Sequence, residues 1–347
     1  MNTSPDALLP PPPRSARLIG LGSWLPPRRV PNAELCGRLD TSDEWIRTRI
    51  GIATRYIADS ATATSDLAVE AGIRAMKSAG VEHVDAVVLA TATPDHPVPG
   101  TAPTVAHRLG LGQVPAFDVG AGCSGFVYAV TVAAALVQAG TVRTVLVVGS
   151  EKMSAIVDPA DRATAPIFGD GAGAVVLQAA RADAPGILGP VAWGSAGEQA
   201  DAIHIPNGGS RRPSSTSTGE YTRDRYVHMQ GNVVLRHAVR HMTQAARDAA
   251  SAAGWALTDI DRLIVHQANA RISAGVADAL GIPAERVPSN IAEVGNTSAA
   301  SIPLLLASAA AEGRLTAGHR VMLAAFGAGL TWAATTLVWP PGLRPLS

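Results

Sequence analysis

The chain has 347 residues, enough for two domains or for one large duplicated α/β unit around a sizeable core. Hydrophobic residues make up 47% and charged residues 16%, and 28 basic residues balance 28 acidic ones, so no net field exists to hold nucleic acid or an anionic membrane. No apolar run has the length of a membrane span, and the opening MNTSPDALLPPPPR puts prolines where a signal peptide needs an apolar helix, so a cytoplasmic protein is expected.

Residues 1–14 read as a flexible tail, because polyproline enters neither helix nor central strand. From ARLIGLGSWLP onward, apolar runs of strand length alternate with helix-length segments. VDAVVLAT, VPAFDV and VRTVLVVGS read as strands, and TAPTVAHRLG and FVYAVTVAAALVQAG as helices. Such alternation predicts a largely parallel sheet covered on both faces. Residues 194–226 are polar and rich in Gly, Ser and Thr, as suits a surface excursion. The rhythm then resumes with the helix VVLRHAVRHMTQAARDAASAAG, the strand DRLIVHQ, the helix ARISAGVADALG and two strands joined at glycines in RVMLAAFGAGLTWAATTLVW. Both halves contain a small-residue helix entry, GAGCSG and GNTSAAS, which suggests an internal duplication.

Three strand-to-helix junctions carry reactive side chains. Cys123 follows the strand ending at Val119, among Gly120, Gly122 and Gly125, and so stands at a helix N-terminus, where free N–H groups and the macrodipole favour the nucleophilic thiolate. The alternative is a buried structural cysteine. Cys36, in NAELCGRLD, lacks such surroundings, and the two are expected as separate thiols. His266 ends the strand of DRLIVHQ, and ligands of open α/β sheets bind beyond the carboxyl ends of strands, so it can share a cleft with Cys123. Asn296, in VGNTSAAS, is either a helix cap or a hydrogen-bond donor to the same cleft. The Gly327–Ala328–Gly329 turn offers backbone donors for an oxyanion hole shared with the Cys123 N–H. GLGSWL and FGDGAG do not fit a dinucleotide turn, and His237 with His241 lack a third ligand, so neither a cofactor nor a metal is expected.

These stretches, with DTSDEWIRTRIGI, DPADRAT, FGDGAGAVVL, HQANARI and FGAGLTW, resemble β-ketoacyl-acyl carrier protein synthase III, a thiolase-fold condensing enzyme, from about residue 16 to the C-terminus. The resemblance implies a five-layer αβαβα sandwich of two similar halves, 15–190 and 191–347, that pairs as a homodimer. It implies that Cys123 takes an acyl group from acyl-CoA and that malonyl-acyl carrier protein then loses CO₂ and attacks, with His266 and Asn296 stabilising the developing charge. Ala328 would complete the oxyanion hole and Phe326 would flank the malonyl carboxylate. Trp45 and Arg162 resemble the pair that sandwiches adenine, Arg49 the cation at the phosphates, and Asn232 and Asn269 the contacts to the pantetheine arm. Val98 and Leu235 stand where bulky aromatics are common, which implies a roomier acyl site. Arg236 and Arg271, with Arg240 and Arg247, would meet the acidic carrier protein, although Asp278 stands where lysines are expected. A relative that transfers the acyl group without decarboxylation, and a non-catalytic thioester-binding partner, are the alternatives.

Overall fold

Among the described residues, two α-helices contain no charged residue: Gly125–Gln138, GFVYAVTVAAALVQ, and Ser301–Ala311, SIPLLLASAAA. A helix that is apolar on every side has no face for water and must be covered all round. Here two sheets cover them. Phe126 and Val130 of the first helix and Ile302 and Leu305 of the second share one core with Val88 and Val147 of one sheet and Ile264, Leu323 and Ala333 of the other.

The computed structural model describes residues 14–213 and 223–347. The expected tail lies outside these residues except for Arg14, which opens the first strand, and residues 214–222 of the polar excursion lie outside as well. In chain order the first half contains β1 (Arg14–Trp24), β2 (Arg29–Pro31), α1 (Asn32–Cys36), α2 (Asp43–Arg49), β3 (Thr54–Tyr56), α3 (Thr64–Ala79), β4 (Ala86–Ala90), α4 (Ala102–Arg108), β5 (Ala116–Val119), α5 (Gly125–Gln138), β6 (Thr144–Glu151) and β7 (Gly171–Arg181). The second contains β8 (Leu188–Ser195), β9 (Ile203–His204), β10 (His228–Met229), α6 (Gly231–Ala252), β11 (Arg262–Val265), α7 (Ala270–Leu280), α8 (Ile291–Val294), α9 (Ser301–Ala311), β12 (Arg320–Gly327) and β13 (Thr331–Val338).

One sheet runs β1-β7-β6-β4-β5 and the other β8-β13-β12-β11, the same order with β5 unmatched. On the outer face of the first sheet, Leu67, Ala71 and Ala75 of α3 and Val105 of α4 pack against Val87, Leu146 and Val148. On the outer face of the second, Met242 and Ala246 of α6 and Val276 of α7 pack against Leu263, Met322 and Ala324. The layers are therefore helix, sheet, helix, sheet, helix, with α5 and α9 in the middle, which is the thiolase-like sandwich of two similar halves.

The expectation of a largely parallel sheet needs correction. β4 pairs parallel with β5 and with β6, and β11 with β12, but β1–β7, β6–β7, β12–β13 and β13–β8 are antiparallel. Periodicity reports which segments are strands and not their direction. The three residues between β12 and β13 allow only an antiparallel return, since a parallel crossover needs a dozen or more.

This arrangement brings the carboxyl ends of β5, β11 and β12 to one place beside the entry to α9. The approach there is close: a Cβ on Gly149 would lie 2.5 Å from the carbonyl oxygen of Ala299. Gly149→Ala should therefore force β6 away from that turn and lower the unfolding free energy by ~1–3 kcal/mol, as for an overpacked core. Urea denaturation measures the change.

Candidate active site

Between β5 and α5 the chain turns through glycines into a short 3₁₀ turn, Gly122–Ser124, with Gly122 at φ +50°. A Cβ on Gly122 would lie 2.8 Å from the Ala328 nitrogen, and one on Gly327 would lie 2.5 Å from the Cys123 nitrogen. The two turns thus meet backbone to backbone, and Ala328 is brought to Cys123 by its main chain. Hydroxyl groups hold the contact together: Ser124 Oγ donates to the Ala121 carbonyl at 2.8 Å and lies 2.8 Å from Thr331 Oγ1, which in turn reaches the carbonyls of Ala121 and Ala328 at 3.0 and 2.8 Å.

A cavity of about 370 Å³ opens at the sulfur, and Cys123, His266, Asn296 and Phe326 all line it. His266 continues the β11–β12 ladder, its N–H donating to Ala324 O at 2.9 Å, and its Nδ1 lies 2.5 Å from Ser301 Oγ at the start of α9. Asn296 is fixed at both main-chain groups: its N–H donates to Ile167 O at 2.9 Å and its carbonyl accepts from Gly169 N–H at 3.0 Å. Its Oδ1 accepts from Ser298 N–H at 2.8 Å, which assigns the amide orientation and leaves Nδ2 for the cavity. The Asn296 side chain thus holds the turn that follows it and lines the cavity at once.

Towards the mouth the cavity is lined by Trp45, Arg49, Asn232, Asn269 and Arg271, and deeper by Leu235 and Met242. Arg162 stands over the Trp45 ring at 5.3 Å, within cation–π range. Trp45 owes its place to the N-cap of α2, where Ser42 Oγ accepts from its N–H at 3.1 Å. Asn269 caps α7, accepting from Arg271 N–H at 2.9 Å, and donates to Arg49 O at 3.2 Å, so its side chain ties α7 to α2. Val98 is 85% exposed and does not line the cavity of its own chain. Arg236, Arg240 and Arg247 are exposed on α6, and Arg247 also donates to Ala279 O at the end of α7. His237 and His241 stack on each other, and His241 on Trp332 with ring centroids 4.0 Å apart, so the pair is packing. Among the described residues no group of three or more His, Cys, Asp or Glu side chains could hold a metal.

Electrostatics overturn one expectation. The thiol of Cys123 is pushed up to about 12 by burial, with the Ser298 hydroxyl opposing the rise and Glu151 adding to it, so the helix N-terminus does not make a resting thiolate. Burial likewise brings His266 down to about 3, so its imidazole is neutral. The sulfur and the ring meet as two uncharged groups.

The sequence reading missed Ser298, Ser301, Thr331 and Glu151. Three of them lie within or beside stretches singled out for other residues. Glu151 had a signal of its own, a carboxylate ending the continuous apolar strand TVLVVGSE, buried along nearly its whole length.

Acid should report on the ring. Between pH 6.5 and about 3 the unfolded chain binds a proton at His266 that the native site rejects, so the stability present above pH 6.5 is lost as pH falls. In urea unfolding, His266→Gln should lose less stability than wild type between pH 6.5 and 4.

Residues 117–197 match the family model for 3-oxoacyl-[acyl-carrier-protein] synthase III, and residues 250–339 its C-terminal model. Beta-ketoacyl-[acyl-carrier-protein] synthase III 3 of Streptomyces coelicolor is 54% identical over 94% of this chain and 98% of its own length. The corresponding synthase III of Pseudomonas aeruginosa is 47% identical over 94% and 98%. A crystal structure of the 3-oxoacyl-(acyl carrier protein) synthase III of P. aeruginosa PAO1 superposes with a TM-score of 0.87 at 46% identity, covering 94% of this chain and 98% of that one. The priming beta-ketosynthase of the R1128 polyketide pathway superposes at 0.88 with 35% identity, covering 96% and 99%. A cysteine at the floor of one cavity of a thiolase-like sandwich, with a buried histidine and asparagine beside it, and relatives at this identity over nearly the whole chain, lead to one conclusion: the chain belongs to the 3-oxoacyl-[acyl-carrier-protein] synthase III family, whose members are condensing enzymes.

Proposed function

We propose that the protein transfers an acyl group from acyl-CoA to Cys123 and condenses it with malonyl-acyl carrier protein, giving 3-oxoacyl-carrier protein, CoA and CO₂. The observation that carries this reading is the meeting of Cys123, His266 and Asn296 on one cavity. In the first half-reaction the sulfur attacks the thioester carbonyl, the backbone N–H groups of Cys123 and Ala328 receive the oxyanion, and the acyl–sulfur bond to CoA breaks as the thiol proton passes to the departing CoA sulfur. In the second, loss of CO₂ puts charge on the malonyl thioester oxygen, where the His266 Nε2–H and the Asn296 amide donate. A neutral ring is the right donor here, since it stabilises an enolate without forming an ion pair that would have to be broken afterwards. Phe326, 3% exposed, keeps water from the departing carboxylate.

The enzyme is in this reading an acyltransferase that works without a cofactor in the cytoplasm. The acyl-CoA enters past Trp45 with Arg162 over the ring, Arg49 near the phosphates, and Asn232 and Asn269 along the arm. Arg236 and Arg271 are the carrier-protein contacts. The chain divides into halves near residue 190, and two copies pair so that the exposed Val98 of each closes the partner's acyl site. With Val98 and Leu235 at positions where aromatics would narrow it, the acyl site favours primers larger than acetyl, as in a starter-unit role in fatty acid or polyketide synthesis.

The test is to supply a series of acyl-CoAs with malonyl-carrier protein and follow CO₂ and the ketoacyl product. Cys123→Ala should take up no acyl group by intact mass. Asn296→Ala should still load but condense ~10²- to 10³-fold more slowly, the usual cost of one oxyanion donor. Leu235→Phe should shift loading towards shorter chains. Acyl transfer to an oxygen or nitrogen acceptor with no CO₂ released would overturn the decarboxylative reading.

A further inference from the structure

The mechanism above leaves one buried titratable group unused. Glu151, at the end of β6, is 0% exposed, and among the described residues no cation pairs with it. The neighbouring Lys152 turns away and gives its ammonium to the carbonyls of Asp59 and Thr62 at 2.7 and 2.6 Å. A carboxyl buried without a counter-ion is costly, and it persists only where donors surround it.

Those donors come from two segments. Thr93 Oγ1 donates to Oε2 at 2.7 Å, Thr91 Oγ1 to the same oxygen at 3.2 Å, and Ala92 N–H to both oxygens at 3.1 and 3.0 Å. From the second half of the molecule Ser298 Oγ donates to Oε1 at 2.9 Å and Ala299 N–H at 3.3 Å. The carboxyl thus spans the junction between the halves and grips the turn that follows Asn296.

What it grips is strained. Ser298, at φ +49°, is the one non-glycine with positive φ among the described residues, a conformation that an L side chain resists. That conformation aims the Ser298 N–H at Asn296 Oδ1, and through it turns the Asn296 amide to the cavity.

We propose that Glu151 is a positioning residue for the condensation step: by accepting from Ser298 and Ala299 it holds Ser298 in its left-handed conformation and so holds the Asn296 amide at the enolate oxygen. The role belongs to hydrogen-bond acceptance and not to charge. The inference rests on the reading of Asn296 as a donor to the malonyl thioester.

The test separates the half-reactions. In Glu151→Ala, condensation should fall at least ~10-fold while acyl loading of Cys123 falls far less, because only an amide donor is displaced. Glu151→Gln, which keeps an acceptor for Ser298 and Ala299, should recover condensation to within about threefold, since such an acceptor is all the turn requires. A second pair leaves Glu151 untouched. Ser298→Ala keeps the strain and loses the grip, and should condense as slowly as Glu151→Ala, whereas Ser298→Gly adopts the positive φ freely and should recover most of the rate. The proposal is overturned if Ser298→Ala condenses like wild type, if Ser298→Gly is as slow as Ser298→Ala, or if Glu151→Gln is as slow as Glu151→Ala. Urea unfolding gives a readout that needs no activity: the destabilisation by Glu151→Ala should shrink in a Ser298→Gly background, and full additivity counts against the proposal. Should wild type take up no acyl group, the functional reading fails instead, and the unfolding cycle still decides whether Glu151 holds the turn.

Discussion

The site depends on a contact that no side chain could make. The Gly122–Cys123 turn of one half and the Gly327–Ala328 turn of the other touch main chain to main chain, and each glycine faces a nitrogen closer than any Cβ tolerates. From this contact follow the pairing of the Cys123 and Ala328 N–H groups, which the proposed mechanism uses as oxyanion donors, and the need for β5 and β12 to end at one level. The Ser124–Thr331 hydroxyl pair then fixes the register of the two turns. The duplicated architecture is what supplies the two turns, one from each sheet.

Depth has an electrostatic price. Burial keeps the thiol protonated and the imidazole neutral, and in the proposed mechanism charge appears only as the reaction proceeds. In that mechanism the donors are aimed at oxygens that become negative later, and the less water surrounds them the more strongly they act. Ser301 beside His266 Nδ1 and Ser298 beside Asn296 Oδ1 show how the aim is kept: each working group is held by a hydroxyl or amide of the same GNTSAAS turn.

Much of this was legible in the sequence, for physical reasons. The charge-free run FVYAVTVAAALVQ reads as a helix, and glycines on both sides of Cys123 read as a sharp turn. Cys123, His266 and Asn296 were each found at a strand or helix end, where chemistry-bearing side chains reach a cleft. Strand direction was not legible, because the pattern of apolar residues is the same in either direction. Nor was the protonation of Cys123: the helix terminus can be seen in one stretch of sequence, but the burial that outweighs it is built from segments as distant as Trp45 and Phe326. Glu151 and its link to Ser298 escaped for the same reason, since the partners of Glu151 are 58 to 148 residues away.

The uncharged middle layer also shapes how the chain is made. α5 leaves the ribosome about 160 residues before α9, its neighbour in the core, and before the whole second sheet that covers it. At ~5–20 residues per second the nascent first half would wait roughly 10–30 s with one slab of Ala, Val and Phe uncovered. Synthesis therefore passes through an adhesive intermediate, and slowing translation or depleting chaperones should harm this protein more than one whose core closes as it emerges.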